Sequence, residues 1–391
     1  MALVHDWLTG MRGGEKVLEA LCGIFPDADI FTIFHVKGTV SQAIESHPIK
    51  TSFIQRLPFA KKRYRMLLPL FPVAVEGLDL RGYDLIVSTS HCAAKGVIPH
   101  PDSLHICYIF TPMRYIWDQF ELYFGHGRTG FLSGRLIRLF ANYLRIWDVT
   151  SSARVDEFVA ISGHVAKRVE KYYRRGSTVI YPPVDCNRFK AAKADPNGYY
   201  LIVSAFAPYK RIDLAIDAFN DLGLPLKITG TGQDEQRLKR KAKKNIEFLG
   251  WAADERLQGL YEGCKALVFP GEEDFGIVPL EAMASGRPVI AFAKGGALET
   301  VVPVNGVAGR AAFSDSGPTG VFFYEQTAEA LKSAINILEK RCGEFNPSLI
   351  RGHALNFDTA QFKRNIRDYI MTSLRNRGMG FPDAKKTQPA F

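Results

Sequence analysis

Residues 266–287 read ALVFPGEEDFGIVPLEAMASGR, and their order decides the fold. Ala266–Phe269 form a short apolar run stopped by Pro270, the mark of a buried strand. A loop follows with carboxylates at Glu272, Glu273 and Asp274, then Phe275 and Gly276. Pro279 falls in the first turn of a helix predicted over 279–285, where its missing N–H costs nothing. Glu281 lies inside that helix. Strand, loop and helix in this order are half of a unit that builds parallel sheets.

The same alternation extends in both directions. Downstream, strands are predicted at Pro288–Phe292 and Gly320–Phe323, with helices over 327–341 and 358–375. Upstream come strands at Tyr199–Ser204, Leu226–Thr229 and Ile246–Leu249, with helices at Arg211–Phe219 and Gln233–Lys244. An earlier run has strands at Ala2–His5, Ile30–Phe34, Asp84–Ser88, Leu104–Tyr108, Phe158–Ile161 and Val179–Tyr181. Ser162 is placed to cap a helix over 163–174 whose surface would carry Lys167, Arg168, Lys171, Arg174 and Arg175. Pro182-Pro183-Val184-Asp185 separates the two runs. This predicts an α/β protein with two doubly wound, Rossmann-like domains facing across a cleft. The boundaries are 1–181 for the first domain, 182–197 for a linker and 198–357 for the second. A helix over 358–377 and a loose tail, 378–391, close the chain.

The chain has 391 residues, 47% hydrophobic and 23% charged, which suits two cores rather than one. No apolar stretch approaches the ~18 residues of a membrane span, and MALVHDWL carries no signal-peptide pattern. Cysteines at 22, 92, 107, 186, 264 and 342 form no CxxC and no zinc spacing. Six buried thiols in a reducing cytoplasm are expected. Fifty Lys and Arg against 40 Asp and Glu leave a charge of +10, which suits anionic partners. The excess is uneven. Between Glu45 and Glu76 no acid occurs, while Lys50, Arg56, Lys61, Lys62, Arg63 and Arg65 alternate with Phe53, Leu57, Phe59, Tyr64, Leu67 and Leu68. Between Glu121 and Asp148 the basic residues are Arg128, Arg135, Arg138 and Arg145. Both stretches are basic and amphipathic, as for docking on an anionic membrane surface. No nucleic-acid motif accompanies the charge, so no nucleic-acid partner is expected.

In doubly wound sheets, ligands bind beyond the carboxyl ends of the strands. Glycine and N–H groups at a helix start suit a diphosphate, as at Phe275, Gly276, Ile277 and Val278. Lys210 and Arg211, after the strand ending in Ser204, sit where a helix begins and the dipole disfavours cations. Two cations held there point to an anion opposite. Gly230-Thr231-Gly232 lets another group approach the backbone. Gly13 and Gly14 open the first helix without a GxGxxG or P-loop pattern, so neither a nicotinamide cofactor nor ATP is indicated. Tyr108–Phe120 mixes Arg114 and Asp118 with aromatic residues, which suits a sugar-binding surface and a plain interdomain core equally.

These residues resemble the retaining, nucleotide-sugar-dependent glycosyltransferases of the GT-B fold, group 1. Glu273 and Glu281 match the E-x7-E signature. The Gly-Gly pair, Tyr209-Lys210-Arg211, Gly-Thr-Gly and Pro-Pro-Val-Asp fall in family order. HDWLTGMRGGEKVLE, LLPLFPVAVEGLDL, TPMRYIWD and PYKRIDLAIDAF are similar to bacterial mannosyltransferases of surface-polysaccharide assembly. The resemblance implies GDP-mannose as donor substrate, no cofactor and no metal. It implies catalytic roles for Glu273, Lys210 and Arg211, with Glu273 on the sugar hydroxyls and Glu281 on the ribose. Donor contacts would come from Gly13, Gly14, Ser204, Gly230, Gly232, Asp274, Phe275, Gly276, Ile277, Val278 and Glu281. A lipid-linked glycan or polysaccharide acceptor would meet Asp6, His91, Phe110, Arg114 and Tyr115. The enzyme would work in the cytoplasm, at the inner face of the membrane. The final helix would cross back to the first domain.

Two positions depart from the family pattern. Ala205 stands where many members carry Arg, and Phe110 where many carry His before Thr-Pro. His5, His91 and His164 are the imidazoles left to stand in for it. A UDP-sugar transferase, a nucleotide-sugar epimerase and a catalytically silent glycan-binding subunit are the competing readings; E-x7-E argues against the epimerase.

Overall fold

The computed structural model describes residues 1–58, 60, 64–118, 120, 131–190, 198–304 and 317–380. Phe59, Lys61, Lys62, Arg63, Glu121 and Arg128, the second part of the expected linker (191–197) and most of the expected tail (381–391) lie outside them.

The chain divides into two compact units, Met1–Pro183 with Phe362–Phe391, and Val184–Gln361. The first holds β1 (Ala2–His5), β2 (Asp29–Thr32), β3 (Ile49–Thr51), β4 (Leu85–Ser90), β5 (Leu104–Ile109), β6 (Glu157–Ala160) and β7 (Thr178–Val179). They form one sheet in the order β3-β2-β1-β4-β5-β6-β7. The second holds β8 (Tyr199–Val203), β9 (Leu226–Thr229), β10 (Ile246–Gly250), β11 (Cys264–Phe269), β12 (Val289–Phe292) and β13 (Gly320–Phe323), in the order β10-β9-β8-β11-β12-β13. Every strand pair in both sheets is parallel. The central strands β1, β4 and β5 are buried along their whole length, as parallel strands covered on both faces must be.

The expected strands all appear, with ends shifted by a residue or two. The three-residue strand Ile49–Thr51 falls within a stretch read as a basic amphipathic segment. It is an edge strand, too short to show alternation, and its Lys50 is paired with Asp29 at 2.8 Å. The helices Asp254–Gly263 and Pro347–Leu355 carry weak signals. The first buries only Leu260, Tyr261 and Gly263 in a charged, glycine-containing sequence.

Ser162 caps the helix Gly163–Tyr173 as expected, its Oγ accepting from the Val165 N–H. Arg168 is a correction to the expected basic surface. It is buried, pairs with Asp118 and donates to the Thr111 hydroxyl. Five cysteines are buried, but Cys342 is exposed, and all six are free thiols. From Phe362 onward the last helix, Thr359–Asn376, packs on the first unit. Phe362 meets Tyr108 edge to face, Ser373 donates to Glu157 at 2.5 Å, and Arg377 pairs with Asp156 at 2.7 Å.

Candidate functional site

A doubly wound sheet has one place where neighbouring loops leave the central strands in opposite directions, and ligands bind there. In the first unit that place lies between β1 and β4, and in the second between β8 and β11.

In the second unit, Lys210 ends the short turn Pro208–Lys210 beyond β8, and Glu273 follows β11. The topology joins them: Lys210 Nζ makes an ion pair with Glu273 Oε1. Both side chains remain about a fifth exposed, 19% and 18%. The Glu273 backbone is fixed separately, its carbonyl accepting from the Gly296 N–H at 2.8 Å. Glu272 turns aside to Lys294, 3.1 Å away. Arg211 has φ +53°, an unusual left-handed conformation for a branched chain of this size. Its guanidinium reaches Asp213 and the Gln326 side chain, both at 3.4 Å. Gln326 in turn donates to the Pro270 carbonyl at 3.1 Å. The anion expected opposite the two cations is therefore, in this chain alone, supplied by Glu273 and Asp213.

Gly276, at φ +91°, opens the helix Ile277–Ala284 and, as glycine, brings no capping side chain of its own. The first amides of a helix lack intrahelical partners and favour an anion. Phe275 is buried beneath this turn, and Asp274 lies beside it, half-buried. Glu281, one turn in, is buried and accepts from the Tyr261 hydroxyl at 2.8 Å. Burial, with the nearby Glu281 charge, pushes the Tyr261 hydroxyl well above its ordinary range. Tyr261 thus stays a donor and orients Glu281. Ser204 bonds its neighbour's carbonyl, Ala205 O, at 3.1 Å. The group that approaches Gly230 and Gly232 is the chain's own backbone. A Cβ at either position would strike Ser204 or Phe206 main-chain atoms. These glycines let the β9 loop press against the loop that carries Lys210.

In the first unit, Asp6 follows β1 and is fully buried. Its carboxylate accepts from four successive amides beyond β4. His91 and Cys92 donate to Oδ2 at 2.7 and 3.0 Å, Ala93 and Ala94 to Oδ1 at 2.6 and 2.7 Å. Asp6 also faces His91 Nδ1 at 2.9 Å. Burial alone would raise the Asp6 carboxyl. The His91 charge and these hydrogen bonds outweigh it and hold the group far below the usual carboxylate range. This corrects the expected direct contact of Asp6 with an acceptor: Asp6 reaches the surface only through His91.

His91 is about a third exposed and stands edge-on to Trp7, ring centroids 4.5 Å apart. Phe110 lies 6.3 Å from it. A side chain at position 14 would meet the rings of Phe110 and His5. His5 Nδ1 donates to Thr89, which donates onward to Val4 O, so His5 Nε2 faces Glu15 at 3.9 Å. Glu15 accepts from the Arg12 N–H at 3.1 Å and so caps the first helix. Tyr115 reaches Cys92 Sγ at 2.7 Å, and Arg114 is half-buried nearby in sequence. Among the described residues, no three His, Cys, Asp or Glu side chains are arranged to hold a metal ion. Trp7, Glu15, Tyr261 and Gln326 are site residues that the sequence did not single out.

Residues 184–345, nearly the whole second unit, match the family model for glycosyl transferases group 1. Through that unit the chain is similar to the group 1 glycosyl transferases. Two curated proteins that the chain resembles are mannosyltransferases. One is the alpha-1,3/1,6-mannosyltransferase ALG2 of Dictyostelium discoideum, 29% identical over 35% of this chain and 44% of that protein. The other is O-antigen chain mannosyltransferase C of Escherichia coli, 35% identical over 24% of this chain and 27% of that one. The chain thus spans less than half the length of these curated relatives. Among solved structures, sucrose-phosphate synthase from Thermosynechococcus elongatus superimposes with a TM-score of 0.71 at 16% identity, over 96% of this chain and 100% of that one. The chain has the GT-B fold.

Proposed function

We propose that this protein transfers mannose from GDP-mannose to a glycan acceptor with retention of anomeric configuration. The observation that carries the reading is the ion pair of Lys210 and Glu273 across the second unit's central strands, beside the helix that opens at Gly276. The mannosyl assignment draws on the similarity to the two mannosyltransferases. In this reading the amides of Phe275, Gly276 and Ile277 hold the β-phosphate. Glu273 accepts from sugar hydroxyls, and Glu281, oriented by Tyr261, accepts from the ribose. The acceptor oxygen bonds to the anomeric carbon as the carbon–phosphate-oxygen bond breaks. The acceptor's proton passes to the departing diphosphate on the same face. Lys210 and Arg211 stabilise the developing charge, an electrostatic role that asks for no metal ion.

The acceptor is a lipid-linked glycan or a polysaccharide, met by the first unit. Its helix Phe131–Ser152 supports docking on an anionic membrane surface. Leu139 (68% exposed), Phe140, Tyr143 and Ile146 (59% exposed) project outward with Arg138 beside them. No helix among the described residues is long and apolar enough to cross a membrane. Flotation with anionic vesicles should recover the chain, and neutral vesicles should not. Equal recovery with both would remove the docking.

A thermal-shift panel of GDP, UDP, ADP, dTDP and their sugars, with and without EDTA, tests the donor. A ligand at about 100 times its Kd adds about 2.7 kcal/mol. A selective, EDTA-insensitive shift with GDP and GDP-mannose is expected. A shift with UDP species alone would replace the donor. No shift with any would leave a silent glycan-binding subunit.

A further inference from the structure

The loops after β8 and β11 are packed back to back. A Cβ on Gly271 would stand 3.0–3.2 Å from main-chain atoms of Tyr209 and Lys210. One side chain spans the seam, and it comes from neither loop. Gln326 follows β13, the edge strand, which lies three places from β8 in the sheet. Its Oε1 accepts from Arg211 Nη1 at 3.4 Å, and its Nε2 donates to the Pro270 carbonyl at 3.1 Å. A carbonyl can only accept, so the amide must turn its nitrogen to Pro270 and its oxygen to Arg211. The next residue, Thr327, caps the helix Ala328–Lys340 by accepting from the Ala330 N–H at 3.2 Å. The Gln326 backbone is thus held between a strand and a helix start, and its side chain is half-buried.

The chemistry of this bridge favours an amide over an acid. A carboxylate at position 326 would orient the guanidinium, but it would also cancel part of its charge. It would further set a second acceptor against the Pro270 carbonyl, with no proton between them. A neutral amide accepts from Arg211 and leaves the positive charge for an incoming anion. Among the described residues Arg211 has one carboxylate partner, Asp213 at 3.4 Å, in a contact that water reaches and screens.

We propose that Gln326 is a positioning residue of the donor site: it aims the Arg211 guanidinium at the donor diphosphate while leaving its charge uncancelled. The inference rests on the nucleotide-sugar reading above. Gln326 acts through Arg211 and does not itself touch the donor. Its second hydrogen bond, to Pro270, ties that aim to the loop that carries Glu273.

The test is calorimetric titration of the full chain with GDP and with UDP, paired with NMR of the Arg211 Nε–H. That signal is identified by its loss in Arg211→Ala. Gln326→Glu should weaken whichever nucleotide the wild type binds at least about tenfold, ~1.4 kcal/mol. Gln326→Leu should weaken it less, since only the aim is lost. In an Arg211→Ala background, Gln326→Glu should change affinity by less than about twofold, because the group it acts through is gone. A merely structural role would lower the melting temperature and weaken binding alike with or without Arg211, and that result overturns the proposal. Without nucleotide, the Arg211 Nε–H signal should be sharp in the wild type and broadened in Gln326→Leu. Nucleotide binding with wild-type affinity in Gln326→Glu and an unchanged Arg211 signal in Gln326→Leu overturns the positioning role and leaves the transferase reading. A broadened Arg211 signal in Gln326→Leu, with neither nucleotide bound by the wild type, does the reverse.

Discussion

The two units share one topology and place a bridge at the same point of it, but the bridges differ in kind. In the first, Asp6 after β1 is gripped by amides 91–94 after β4, entirely out of water. In the second, Lys210 after β8 meets Glu273 after β11 through two side chains that water still reaches. Backbone donors cannot leave their carboxylate without unfolding the loop. A lysine can leave its partner by rotating a few side-chain bonds. The first bridge is therefore a scaffold, and the second is exchangeable for another anion. One fold thus yields a fixed bridge and an exchangeable one from the same pair of loops.

The strongest way to break this comparison is Asp6→Ala. It strands four buried amides and uncouples His91, and should cost about 3–5 kcal/mol in urea unfolding of the first unit. A loss below about 1 kcal/mol would place Asp6 among ordinary surface carboxylates. Lys210→Ala should do the opposite: lower turnover by about 10²–10³ and leave the melting temperature nearly unchanged. A collapsed melting temperature with normal turnover would make the second bridge a scaffold as well. Gly232→Ala sharpens the boundary between packing and binding. Its Cβ would lie 2.5–2.8 Å from the Phe206 backbone, and such overpacking costs about 1–3 kcal/mol. Stability should fall, and nucleotide affinity of the folded fraction should not. The smallest effect is a pH slope. Because the folded His91 pKa is raised, its stabilisation is complete below about pH 6.5 and fades as pH rises through the folded value. Wild-type stability minus that of His91→Gln, followed by denaturant titration, should decline over that range. A rise would contradict the Asp6–His91 coupling.

The sequence makes some of this legible and hides the rest for physical reasons. Residues 266–287 reveal strand, loop and helix because that information is local. Lys210 and Glu273 are each visible as loop residues after strands, but their pairing over 63 positions depends on β8 lying beside β11. The grip of Asp6 on residues 91–94 is hidden in the same way, since strand order leaves no mark on periodicity. Arg168 was expected in solvent because a helical pattern assigns faces by its own helix. Its burial comes from Asp118 and Thr111, which arrive from another loop. Tyr261 and Gln326 give no signal because each acts on neighbours distant in sequence, Tyr261 on Glu281 and Gln326 on Arg211 and the Pro270 carbonyl.

Glu273 is held by its main chain to Gly296 even while its side chain is shared with Lys210. The loop that would receive a donor is thus ordered before any donor arrives. Fixing a backbone residue costs about 1–2 kcal/mol of conformational entropy. Here that cost is met during folding, so in the proposed donor reading capture of a diphosphate would require a change of rotamer at Lys210 rather than the ordering of a loop. Binding free energy is then kept for discrimination among donors.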